Sequence, residues 1–170
     1  MRRAFLLVGL LVVVALGGWW FFSTRGTVGS EHLVVYYTAA DGTTLQHWTV
    51  SVRPRQSGES DAEHLHNVAL YAAVQALAGP PSDVPAVRFP AGTHVVNVTV
   101  DGNIATVDLS GNVGGTGGSY QESGEFKGLV YTLTGISPIN AVQILLEGRN
   151  VETLPGGHLE LDQPLRRSDW

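Results

Sequence analysis

Residues 95–109 read VVNVTVDGNIATVDL, two runs of strand-forming residues on either side of Asp101-Gly102. β-branched side chains favour strands, and an Asp-Gly pair suits the positive φ angles of a tight hairpin turn. The stretch therefore predicts two antiparallel strands, 95–100 and 104–109. Alternation puts Val96, Val98 and Val100 on one face of the first, and Ala105, Val107 and Leu109 on one face of the second. An apolar sheet face needs a cover, and the flanking sequence offers two helices.

Upstream, Ser60 and Glu63 stand in capping-box spacing and Gly79, Pro80 and Pro81 form a stop, so a helix is expected between them. Leu70, Ala73, Val74 and Leu77 are its expected buried stripe. Downstream, Phe126, Leu129, Val130 and Leu133 follow helical periodicity, Ser119 and Glu122 repeat the capping spacing, and Gly135 and Pro138 close the run. Two more hairpins bracket these units. Leu33 to Thr38, a turn at Asp41-Gly42 and Thr44 to Val52 make one; RPRQSGESDA, 53–62, has no apolar period and reads as a loop. Ala141 to Leu146, a turn at 147–150 and a strand around Val151 to Leu154 make the other, with a last edge strand at His158 to Leu161. The order ββα-ββα-ββ predicts an α+β, two-layer domain with a mixed or antiparallel sheet and both helices on one face.

Ahead of the domain, Ala4 to Phe22 is an unbroken apolar run, AFLLVGLLVVVALGGWWFF. At about 1.5 Å per residue it spans a hydrocarbon core of roughly 30 Å. Arg2 and Arg3 before it keep the N-terminus inside, and Trp19, Trp20, Phe21 and Phe22 suit an outer aromatic belt. Ala15 and Gly17 also form a small-x-small site, so a cleaved signal sequence is the alternative. Residues 1–24 are thus read as anchor or signal, 25–32 as linker and 33–168 as the exported domain.

The exported part carries seven basic against fifteen acidic residues, a balance of −8 that repels phosphate backbones and argues against nucleic-acid partners. The chain has no cysteine, which excludes disulfides, thiolate ligands, a cysteine nucleophile and a lipidated N-terminal cysteine. Packing alone must hold the domain together.

Several stretches carry a resemblance: LVVYYT at 33–38, ALAGPP at 76–81, FPAGTHVVNVTVDGNIATVDLS at 89–110, GLVYTLTGI at 128–136, AVQILLEGRNVETL at 141–154 and LDQPLRR at 161–167. In that order they resemble the GerMN domain, named for the spore germination and sporulation protein GerM, over Leu33 to about Arg167. The resemblance implies a module of bacterial membrane- or lipid-anchored envelope proteins. Such modules occur singly or in tandem, sometimes beside peptidoglycan amidase modules, or in mycobacterial lipoproteins linked to a sensor kinase. It implies a fold similar to the ring-building motifs of secretion systems, and no established catalytic residues. This chain departs from GerM in having one copy and no lipobox cysteine.

Chemistry-bearing residues do not assemble into a signature. The glycine-rich loop Gly111 to Gly118 lies between strand and helix, where backbone N–H groups can cradle phosphate, but a G-x-G-x-x-G frame begun at Gly115 ends on Tyr120 and no Gly-Lys-Ser/Thr exists. Ser119 lacks the second flanking glycine of a nucleophile elbow. His64 and His66, near Asp61 and Glu63, are zinc-ligand types, yet i and i+2 on a helix point about 200° apart. His32, His47, His94 and His158 are scattered. Asp108 and Ser110 suit turn hydrogen bonding better than acid–base work. Tyr36, Tyr37 and Tyr131 are read as core or contact aromatics.

No catalytic, cofactor or metal residue is therefore assigned. The expected function is a non-catalytic module on the outer side of the cytoplasmic membrane, single-pass through its N-terminal helix, that contacts an envelope protein or peptidoglycan. Sheet edges near Leu33–Thr38 or His158–Leu161 are the expected place for a partner strand. The alternatives are a ring or oligomer scaffold, and a peptidoglycan-directed enzyme or amidase accessory; cleavage of the signal would leave the domain secreted or periplasmic.

Overall fold

Glu31–Thr38 (β1) and Leu45–Val52 (β2) pair antiparallel, in register from Glu31↔Val52 to Thr38↔Leu45. Their turn is held by Asp41, whose Oδ1 accepts the N–H groups of Thr43 and Thr44 at 2.9 and 2.8 Å while Gly42 takes φ 68°. Hydrogen bonds from Thr44 lead in holding the Asp41 carboxyl down to about 2. This computed structural model describes residues 31–110, 113, 118–154 and 157–170. The apolar run Ala4–Phe22, almost all of the linker and all but Val113 and Gly118 of the loop 111–118 lie outside the described residues. Among the described residues, no helix is long and apolar enough to cross a membrane.

The first helix, α1, spans Asp61–Ala78 between the expected signals. Ser60 Oγ accepts the Glu63 N–H at 3.2 Å, and Glu63 Oε2 accepts the Ser60 N–H at 2.8 Å, closing the capping box. Its buried residues are Ala69, Ala72, Ala73 and Ala76. Of the expected stripe only Ala73 is buried; Leu70 and Leu77 are half-buried and Val74 is 43% exposed. Four alanines on one face let α1 approach its neighbours closely, and that face outcompetes the one bearing larger side chains.

Val95–Asp101 (β3) and Ile104–Leu109 (β4) form the central hairpin around Gly102. A register shift between Val95 and Asn97 interrupts the alternation. The irregularity turns Val96 outward to 54% exposure, whereas Val98 is fully buried as expected. The second helix, α2, spans Gly118–Leu133, and Phe126, Leu129, Val130 and Leu133 are all fully buried. Ala141–Leu146 (β5) then joins β4 in parallel, from Ile104↔Ala141 to Leu109↔Leu146.

The α+β class holds, with antiparallel and mixed sheets, but the strands divide into two sheets: β1-β2, and β3-β4-β5. The expectation of one sheet fails because the free edge of β1 meets other elements. The Tyr36 N–H donates to Thr132 Oγ1 of α2 at 2.9 Å, and Thr38 O accepts the Val87 N–H at 2.9 Å. The helices also do not simply share one sheet face: α2 packs on β1 and α1, while α1 packs mainly on β3. Gly128 allows the approach of β1, and Gly124 that of Val87. A Cβ at Gly128 would sit 3.0 Å from Tyr36 O and 3.2 Å from Tyr37 Cα. Thr38 Oγ1 donates to Gly124 O at 2.9 Å on the same side.

The third hairpin does not form as a strand pair. Glu147 and Gly148 make the turn, with φ of 50° and 74°, but beyond it only isolated bridges remain, Leu146↔Arg149 and Thr153↔Glu160. The outer edge of β5 is taken instead by Leu165, which exchanges two backbone bonds with Val142 at 2.9 and 2.8 Å. Gln143 Nε2 donates to Leu161 O at 2.9 Å, so a side chain satisfies a carbonyl that a ladder would otherwise use. Pro164, without an N–H group, directly precedes Leu165 and cannot extend the bridge to Val142 as a ladder.

Candidate functional site

Because α1 buries its alanines, Val68 and Tyr71 are left to wall a groove against the open end of the β1–β2 hairpin. One hollow, of about 440 Å³, lies between Ser51–Arg53 of β2 and its exit and His64, Asn67, Val68 and Tyr71 of α1. A second, of about 390 Å³, is lined by residues of β1 including His32, Leu33 and Val34, and by Gly135 and Ile136 beyond α2. Val52 and Val68 line both, so the two hollows lie side by side and together form the groove region at this end of the domain. Glu31, where the described chain begins, is the register partner of Val52.

Beside the groove, the loop 53–60 is folded onto the start of α1 and encloses a polar hollow of about 610 Å³ lined by residues that include Arg53, Glu59, His66 and Asn67. Glu59 organises it. Its carboxylate accepts the Gln56 N–H at 2.8 Å and the Asn67 amide at 2.7 Å, with Arg53 at 3.3 Å and His64 Nδ1 at 3.5 Å. The Gln56 N–H first, and the Asn67 amide next, hold the Glu59 carboxyl below its usual range. Arg55 donates twice to Glu59 O, at 2.9 and 2.8 Å, and pairs with Asp61 at 2.5 Å. His64 faces Glu59, whereas His66 lines the hollow. Among the described residues no three of His, Asp and Glu converge as a metal cage.

Two carboxyls of α2 are buried with no cation among their described partners. Glu122, 2% exposed, accepts the His158 N–H on Oε2 at 2.9 Å, and its Oε1 has no hydrogen-bond partner among the described residues. The expected capping role with Ser119 is not realised, since both residues lie inside α2 and Glu122 reaches across to the 154–158 segment. Glu125, 5% exposed, accepts from Gln121 Nε2 at 2.9 Å. Burial lifts its carboxyl from the ordinary 4.5 to about 7; the Gln121 bond opposes that lift, and the negative charge of Glu122 adds to it.

A raised carboxyl favours the folded state while protonated, and that contribution disappears as pH rises from about 4.5 through about 7. We predict that the domain loses on the order of 1–2 kcal/mol between pH 5 and 8, solvent screening allowed for, and that Glu125→Gln removes this slope. Urea denaturation of both proteins across that range is the check; parallel pH dependences would refute the assignment.

The remaining candidates serve structure. Asp108 Oδ1 accepts the Gly148 N–H at 2.8 Å, tying β4 to the turn after β5. Ser110 Oγ accepts the His94 N–H at 2.9 Å and donates to Gly92 O at 3.3 Å. Tyr36 and Tyr131 stack edge-on at 5.9 Å, with the Arg167 guanidinium 4.9 Å from the Tyr131 ring centre. Tyr37 lies 5.5 Å from Trp48. The expected docking edges are occupied: α2 and Val87 cover that of β1, while Leu161 is fully buried and donates to Glu152 O at 2.8 Å. The outer edges of β2 and β3 have no strand neighbour among the described residues.

Sequence reasoning missed the groove and the buried carboxyls. The four-residue spacing of Gly124, Gly128 and Thr132 is the visible signal for the close approach of β1, and Glu122 and Glu125 flanking the apolar stripe of α2 are a weaker one.

A family model described as Germane, sporulation and spore germination, matches residues 34–152. Among solved structures, the first GerMN domain of the Bacillus subtilis sporulation protein GerM is similar with a TM-score of 0.60 and 22% identity, covering 82% of this chain and 99% of that one. The tandem GerMN domains of the same protein match with a TM-score of 0.59 and 22% identity over 82% of this chain and 47% of that one. A candidate lipoprotein from Clostridium perfringens matches with a TM-score of 0.53 and 22% identity over 84% and 91%. Compared by sequence with curated proteins, the chain matches none.

Proposed function

Because the chain belongs to the Germane family of sporulation and spore germination domains, we propose that it is a membrane-anchored envelope module that acts by protein contact and not by catalysis. The observation that carries this reading is the outward display of Val74 on α1 and Val96 on β3, 43% and 54% exposed, on two elements that pack together. The edge of β3 that has no strand neighbour among the described residues offers main-chain hydrogen bonds to an added strand, and Val96 of β3 and Val74 of α1 are exposed apolar side chains on these elements. The Clostridium perfringens relative described as a candidate lipoprotein supports an envelope location, and the apolar run Ala4–Phe22 supplies the anchor.

The test is cross-linking in intact host cells with the native chain and a Val74→Asp/Val96→Asp variant. The variant is expected to melt like the native protein and to recover its envelope partner about tenfold less, the usual effect of losing an apolar anchor. Equal recovery, or no envelope partner, overturns the reading. A purely homotypic product would identify an oligomeric scaffold in its place, and release of muropeptides from purified cell wall would identify an enzyme.

A further inference from the structure

The groove at the open end of the β1–β2 hairpin lies where the chain enters the domain. Glu31 pairs with Val52, one of the two residues that line both hollows, so the chain enters the domain beside the groove. Only eight residues, Ser23 to Ser30, separate Glu31 from the uncharged aromatic stretch Trp19-Trp20-Phe21-Phe22. Fully extended, that tether reaches at most about 28 Å, enough to bring the aromatics to this end of the domain.

We propose that the groove receives Trp19–Phe22 of the same chain and thereby clamps the domain to its own anchor. The shape favours a peptide segment over a bilayer. Apolar surface that meets lipid protrudes, whereas this surface is two adjacent hollows of about 440 and 390 Å³ that share Val52 and Val68 in their walls. Pockets of this size take groups as large as aromatic side chains, each of which buries roughly 150–250 Å². A short tether also makes docking effectively intramolecular, at an effective concentration of order millimolar, so modest contacts suffice. The occupant is uncharged from Ala4 through Thr24; Leu33, Val34, Val52, Val68 and Ile136 give the walls their apolar part, with Arg53, His64 and Asn67 at the larger of the two hollows within reach of indole rings and main-chain carbonyls.

The inference rests on retention of the N-terminal segment, and the test separates the two. Full-length chain carrying p-benzoylphenylalanine in place of Phe21 is reconstituted in phosphatidylethanolamine–phosphatidylglycerol vesicles, irradiated and mapped by mass spectrometry. Adducts within the chain at 33–36, 52, 68–71 or 135–136 are expected, and Ile136→Asp lowers their yield about tenfold by placing a carboxylate in the groove. Ser82→Asp, exposed and outside the groove lining, leaves the yield unchanged, and matching urea melts of the two variants control for folding. Adducts confined to lipid, to a second copy or to other parts of the domain overturn the docking while leaving the anchor intact. A chain isolated from its host without residues 1–17 overturns the anchor and with it the clamp, whatever the adducts of Phe21 show.

Discussion

Phe126→Ala is expected to lower the unfolding free energy by about 3–5 kcal/mol, the largest effect of any single truncation considered. Phe126 is fully buried, the bulkiest of the wholly enclosed side chains, and meets Phe89 edge-on at 5.4 Å and 75°. Truncation removes the transfer energy of the ring, opens a cavity and deprives Phe89 of its partner. Since domains of this size are stable by about 5–15 kcal/mol, the variant should keep little margin. Equilibrium urea denaturation at pH 6 is the measurement; a loss below about 1 kcal/mol would mean that the site collapses around the smaller side chain.

Gly128→Ala is expected to destabilise by about 1–3 kcal/mol, although alanine is favoured over glycine within a helix by about 1 kcal/mol. The new Cβ would stand 3.0 Å from Tyr36 O and 3.2 Å from Tyr37 Cα. Both are backbone atoms of β1 and cannot move without shifting the strand. Gly124→Ala makes the informative comparison. Its nearest contacts would be Val87 Cγ1, Cγ2 and Cβ at 3.1–3.2 Å, a side chain of the connection between α1 and β3 and not strand backbone, so that variant should cost less than Gly128→Ala. Side-by-side melts decide the matter: if Gly128→Ala is the more stable of the two, β1 does not rest on the glycine face of α2. The Tyr36 N–H to Thr132 Oγ1 bond should lengthen in the same variant, visible as faster hydrogen exchange at Tyr36.

Local features of the fold were legible because their signals are local. The Asp101-Gly102 hairpin, the Ser60–Glu63 box and the Phe126–Leu133 stripe each occupy a few residues and formed where the pattern put them. Features set by competition between distant elements were not. Val74 and Ala76 look equally fit for a core, and only the close approach of α1 to its neighbours selects the alanine face. Val96 alternates correctly with Val98, yet the register shift beside it exposes it. The division into two sheets depends on Thr132 meeting the edge of β1, 96 residues apart in sequence, which no periodicity encodes. The groove was hidden for the same reason: its walls come from β1, β2, α1 and the turn beyond α2.

The parallel pairing of β5 with β4 gives the two halves of the domain different entropic characters. The hairpins β1–β2 and β3–β4 close short loops and can form from neighbouring residues alone. The β4–β5 pair must instead close a loop containing all of α2, a cost that grows with loop length and is offset only when Phe126, Leu129, Val130 and Leu133 reach the core together. Helix burial and sheet completion are thus one cooperative event. A chain that stops before Ala141 would leave β4 with an unpaired edge.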